Sequence, residues 1–134
     1  MMLYYYIYGR LMSATILALR ARLDRFGVLL SGLCLLHCLA GLFLVGILGL
    51  GGSALLDPAI HRFGLIAAVV VGASTIGLGA LRHGRMLPLA VGTFGLILMA
   101  SAVIVGHGSA EAVLTICGVL LVASAHVINM RSGC

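Results

Sequence analysis

The chain has 134 residues, 63% of them hydrophobic and 8% charged, and its net charge of +5 comes from arginine alone, because there is no lysine. A soluble domain needs roughly a quarter of its residues charged to solvate its surface, so a mean hydropathy of +1.27 excludes one here. The arginines stand singly or in pairs between apolar stretches. That pattern excludes a nucleic-acid patch and suits the positive-inside rule and anionic lipid head groups.

The first segment, Met1 to Arg22, lacks the form of a cleavable signal: no basic region precedes the apolar stretch, Arg10 interrupts it, and no small-residue cleavage site follows. It reads as an interfacial leader, with Tyr4, Tyr5, Tyr6 and Tyr8 suited to an aromatic belt, and Met12 is an alternative start. Residues 23–134 then form one transmembrane domain.

A helix needs about 20 apolar residues to cross the hydrocarbon core. Four stretches qualify, from Phe26 to Leu50, Phe63 to Leu81, Met86 to Val105 and Ala112 to Met130. Gly51, Gly52 and Ser53 close the first, and Asp57-Pro58 reads as an N-cap followed by proline at the first helical position of the second. Arg82-His83-Gly84-Arg85 is a tight basic turn; His107, Gly108 and Ser109 close the third span, with Ser109 as N-cap and Glu111 in the first turn of the fourth. The fold class is therefore all-α, an integral membrane four-helix bundle. Arg10, Arg20, Arg22, Arg25, Arg82, Arg85 and Arg131 fall on one side of it and only Arg62 on the other, which predicts cytoplasmic N and C termini.

Glycine is abundant, at 19 residues, as in membrane helices whose backbones approach closely. On the first span Gly27, Ser31, Cys34, Cys38 and Gly41 recur at spacings of four, three, four and three. They form one stripe of small residues, which predicts that both thiols face a neighbouring helix rather than lipid.

Cys34-Leu35-Leu36-His37-Cys38 is the most informative run. Positions i, i+3 and i+4 share a helix face, so two sulfurs and an imidazole are expected to converge. Soft thiolates select soft or borderline ions, Cu(I), Zn(II) and by the same logic Hg(II). Binding releases the thiol protons and turns a dication into a neutral complex, which matters because a bare dication in hydrocarbon is prohibitively costly. No tightly bound cofactor is expected, only a transported soft metal ion.

Further along, His126 shares a face with Asn129; it either completes a metal site and hands the ion on, or donates an interhelical hydrogen bond. Cys134 is either a final acceptor thiol or a frayed end. Cys117 lies opposite His126 by helical angle and reads as a small hydrophobe. His61 with Asp57, and His107 with Glu111, are placed to capture cations at the outer face, although capping also accounts for the acids.

The segment Asp24-Arg25-Phe26-Gly27 leading into Ser31-Gly32-Leu33-Cys34-Leu35-Leu36-His37-Cys38, the Arg82-His83-Gly84-Arg85 turn, and the close His126-Val127-Ile128-Asn129-Met130-Arg131 together resemble the MerC family of bacterial inner-membrane mercuric-ion transport proteins, over Leu23 to Arg131. The resemblance implies a four-helix protein that passes Hg(II) inward through a cysteine pair in its first helix, toward cytosolic reduction, and by motif this carries over to Cys34 and Cys38. The spacing here is Cys-x-x-x-Cys with a histidine inside it, and one cysteine, Cys134, stands at the end, as in a divergent branch in which His37 adds a nitrogen ligand and shifts preference toward zinc, copper or cadmium.

The leading expectation is a soft-metal carrier, not an enzyme, with Cys34, Cys38, His37, His126 and Cys134 as its metal residues. Its partners are the lipid bilayer, the ion, and either a second copy of the chain or periplasmic and cytoplasmic metal-handling thiol proteins, with no nucleic acid. Two other classes stay open: a membrane thiol oxidoreductase cycling Cys34 and Cys38, and a haem or other cofactor-binding bundle using His37 and His126 as axial ligands.

Overall fold

The computed structural model describes residues 1–47, 57–84, 86–106 and 108–132, and these are helical apart from short turns. Its elements are α1 (Met2–Gly46), α2 (Pro58–Gly72), a π-helical segment (Ala73–Gly77), α3 (Leu78–His83), α4 (Met86–Val105) and α5 (Ser109–Ser132). The segment from α2 to α3 runs on as a single span. Four helices are long and apolar enough to cross a membrane, over Tyr6–Leu44, Ala59–Leu81, Met86–Val105 and Ser109–Arg131. The protein is a multi-pass membrane protein of the expected all-α class.

α1 differs from its expected form. It continues through Arg22 and Leu23 without a break, and at 1.5 Å per residue it measures about 67 Å, more than twice a hydrocarbon core of about 30 Å. The leader is thus a helical extension of the first span, with Tyr6 and Tyr8 exposed.

The turns follow local chemistry. Asp57 Oδ1 accepts the Ala59 N–H at 2.8 Å, with proline beside it at the start of α2. Gly84 ends α3 with φ 64°, its N–H donating to the Ala80 carbonyl, a left-handed geometry that favours glycine. Ser109 is itself the first residue of α5, one position later than an N-cap would stand. Gly51, Gly52, Ser53, Arg85, His107 and Cys134 lie outside the described residues.

Packing inverts the soluble pattern. The expected small-residue stripe of α1 turns inward, with Gly27, Ser31, Cys38 and Gly41 buried and Cys34 partly so. Leu29, Leu33, Leu36 and Phe43 point outward, where lipid tails solvate them. α5 is central and touches α1, α2 and α4. Its approach to α4 is closest at Gly95 and Gly118, where a Cβ on either would stand 2.7 Å from the other's carbonyl oxygen, so only glycine lets the backbones meet. Ser74, Ser101 and Ser124 return their hydroxyls to carbonyls four residues back, which satisfies them where water is absent.

Candidate metal site

A cavity of 190 Å³ lies between α1, α2, α4 and α5, and Cys34, His37, His61 and His126 reach its wall. Its remaining lining is apolar or small, including Gly27, Gly64, Ala68 and Val122. Cys34 also packs against the core formed by Ala68, Met99, Val119 and Val122.

At the end of the cavity nearest the α1 C-terminus, three helices converge. Cys34 and Cys38 are free thiols one turn apart on α1. Across the interface, His61 Nε2 on α2 lies 3.7 Å from Cys38 Sγ. The other ring nitrogen, Nδ1, stands 3.6 Å from Glu111 Oε1 in the first turn of α5, within ion-pair reach and just beyond hydrogen-bond range. The His37 ring is edge-on to His61, with centroids 5.8 Å apart. Both His37 Nε2 and His61 Nδ1 are buried without a hydrogen-bond partner among the described residues.

At the opposite end the polar groups are sealed. Asp24 is 3% exposed and His126 1%; His126 Nδ1 lies 2.8 Å from Asp24 Oδ1, and Asn129 Nδ2 donates to Asp24 Oδ2 at 2.8 Å. The tautomer follows from the partners. Thr75 Oγ1, 3.5 Å from the same ring nitrogen, spends its proton on the Val71 carbonyl, so it and the carboxylate can only accept. Nδ1 therefore carries the hydrogen, and in the neutral ring the free lone pair sits on Nε2. The ring edge bearing Nε2 lies against Gly27, where a Cβ would come 2.5 Å from that nitrogen.

The π-helical segment belongs to this end. Its glycine-flanked turn holds the buried Thr75, whose carbonyl accepts a bond from Arg20 Nη2 of α1 at 3.2 Å. Such turns loosen the helical ladder and free a carbonyl for an outside donor. Gly79 makes room for this contact, since a Cβ there would meet Asn129 Oδ1 at 2.6 Å and Arg20 Nη2 at 2.8 Å.

Of the expected residues, Cys34, His37 and His126 reach the wall of one cavity, whereas Cys38 is buried behind it, beside His61. They do not stand as a closed cage: among the described residues no three His, Cys, Asp or Glu side chains are arranged to hold a metal ion as they are. His61 is paired differently from the sequence reading, with Cys38 and Glu111 rather than Asp57, which is engaged in capping. Glu111 correspondingly faces His61, while His107 lies outside the described residues. His126 and Asn129 do share a face, and His126 makes the interhelical bond that was one of its two expected roles. Cys117 is exposed, on the side of α5 opposite the buried His126.

Asp24 was not expected at the cavity, and His61 was expected beside Asp57 at the outer face, although the sequence carries a signal for each position. Stepping the α1 stripe back three residues from Gly27 lands on Asp24, and four more on Arg20. On α2, His61, Gly64, Ala68 and Val71 repeat at three, four and three, and all four line the cavity.

A family model described as MerC mercury resistance protein matches residues 24–131. No curated protein and no solved structure matches the chain.

Proposed function

The chain belongs to the MerC mercury resistance family, and on that footing we propose that it is a bacterial inner-membrane carrier that takes mercuric or another soft metal ion from periplasm to cytoplasm by ligand exchange. The observation that carries this reading is the placement of two free thiols, Cys34 and Cys38, on the inward face of a membrane-spanning helix, next to a cavity whose wall includes Cys34, His37, His61 and His126.

The chemistry balances without a cofactor. Each thiol gives up its proton as its sulfur binds, two protons leave, and the dication becomes a neutral bis-thiolate. The neutral complex avoids the cost that a dication would meet in hydrocarbon. Hg(II) is content with two opposed sulfurs, so the pair alone makes a sufficient first station. From there the ion moves along the cavity toward His126, whose Nε2 is the nitrogen left free by the bond to Asp24, and on to Cys134 at the chain's end. The excess of arginine at the end of the bundle carrying Arg20, Arg22, Arg25 and Arg131 supports a cytoplasmic location for both termini.

Cells or right-side-out vesicles bearing the protein with Cys34→Ser and Cys38→Ser together are expected to lose Hg(II) uptake entirely. Uptake at the wild-type rate would remove the reading.

A further inference from the structure

We propose that His61 is itself a metal ligand, oriented by Glu111, so that Cys34, Cys38 and His61 form a site bridging two helices for a borderline divalent cation such as Cd(II) or Zn(II), with His37 as the available fourth donor. The inference rests on the carrier reading for its thiols and goes beyond it in the cross-helix ligand and in the class of ion.

Three observations converge. The first is distance. With Zn–S near 2.3 Å and Zn–N near 2.0–2.1 Å, two ligands on a tetrahedral ion stand about 3.6 Å apart; Cys38 Sγ and His61 Nε2 are 3.7 Å apart. The separation of this pair is already that of two ligands on one ion, and Cys34 has to be drawn toward them to complete the site. The second is orientation. A metal-ligating imidazole characteristically turns its other N–H to a carboxylate, which fixes the tautomer and raises the basicity of the binding nitrogen. His61 has that arrangement, Nε2 toward the thiol and Nδ1 toward Glu111 Oε1 at 3.6 Å. The third is an unmet demand. His61 Nδ1 and His37 Nε2 are both buried without a hydrogen-bond partner among the described residues, a condition that folded proteins rarely leave uncompensated. Drawing Glu111 in by a few tenths of an ångström satisfies the first, and a bound ion satisfies the second.

The ligand set decides what the site takes. Two thiolates suffice for Hg(II), but Zn(II) and Cd(II) need three or four donors in tetrahedral array. The His61 contribution therefore separates ions that two sulfurs alone would not hold.

The test uses the full-length protein in lipid nanodiscs and two probes, Cd(II) and Hg(II), each titrated and followed by the ultraviolet thiolate-to-metal charge-transfer band. His61→Ala is expected to weaken Cd(II) binding by about tenfold or more, and Glu111→Gln by about tenfold, each a larger factor than the same variant's loss of Hg(II) binding. X-ray absorption of the Cd(II) complex is expected to show imidazole beside sulfur, with the imidazole signal reduced in His61→Ala. If His61→Ala does not fold, His61→Gln gives the same comparison. Unchanged Cd(II) affinity in the His61 variant, or a wild-type Cd(II) spectrum without imidazole, overturns the inference while the carrier reading stands. Hg(II) binding that survives Cys34→Ser with Cys38→Ser overturns the carrier reading and this inference with it.

Discussion

Two histidine–carboxylate pairs bound the same cavity, and they differ in tightness. His126 and Asp24 meet at 2.8 Å with side chains 1% and 4% exposed, whereas His61 and Glu111 stand 3.6 Å apart with 15% and 13% exposure. The surroundings account for the difference. Asp24 has both oxygens engaged, by His126 and Asn129, in a junction where Gly27 and Gly79 admit the side chains at distances that a methyl group would forbid. Around His61 the partners are incomplete, and one of them is a thiol. The saturated pair fixes its helices and leaves only Nε2 of His126 uncommitted, whereas the looser pair lies beside a free thiol.

Breaking the sealed pair should therefore produce the largest loss of stability. Removing one partner of a buried, hydrogen-bonded pair costs about 3–5 kcal/mol, because the other is left uncompensated. Asp24→Ala is expected to fall in that range in reversible unfolding in mixed micelles. Glu111→Ala, at the looser pair, should cost no more than about 1 kcal/mol. Equal losses at the two sites would erase the distinction between them.

A smaller effect probes the shape of the sealed end. In Gly27→Ala the new Cβ would sit 2.5 Å from His126 Nε2, and overpacking of this kind costs about 1–3 kcal/mol. Gly32, on the same helix, has nothing within 4 Å of its would-be Cβ. Gly32→Ala should be neutral or stabilising by up to about 1 kcal/mol, since alanine is the better helix former. Thermal unfolding of the two variants side by side checks this, and a Gly27→Ala protein as stable as Gly32→Ala would show that the ring is not held where the contacts place it.

The contrast between the two ends was only partly legible in sequence. Span lengths, the Asp57 cap, the Gly84 turn and the inward stripe of α1 depend on local periodicity and backbone chemistry, and a single helix carries that information. The partners of Cys38 do not. His61 and Glu111 are 23 and 73 residues further along, and their arrival beside one thiol depends on how α2 and α5 are rotated and shifted against α1. Small-residue packing decides that register, and no one segment encodes it. Asp24 was hidden for another reason: among Arg20, Arg22 and Arg25 it reads as one charge in a solvated basic stretch, and only its position on the extended stripe distinguishes it. The π-helical turn at Ala73–Gly77 carries no sequence mark beyond its flanking glycines.

In the proposed carrier, Cys34 and Cys38 together hold the ion inside the bundle. Titration of Hg(II) into the full-length protein in nanodiscs, comparing wild type, Cys34→Ser with Cys38→Ser, and Cys117→Ser with Cys134→Ser, tests it most directly. The first pair of substitutions is expected to abolish the tight thiolate complex and the second to leave it intact. Tight Hg(II) binding that persists without Cys34 and Cys38, or that disappears without Cys117 and Cys134, would contradict the proposal.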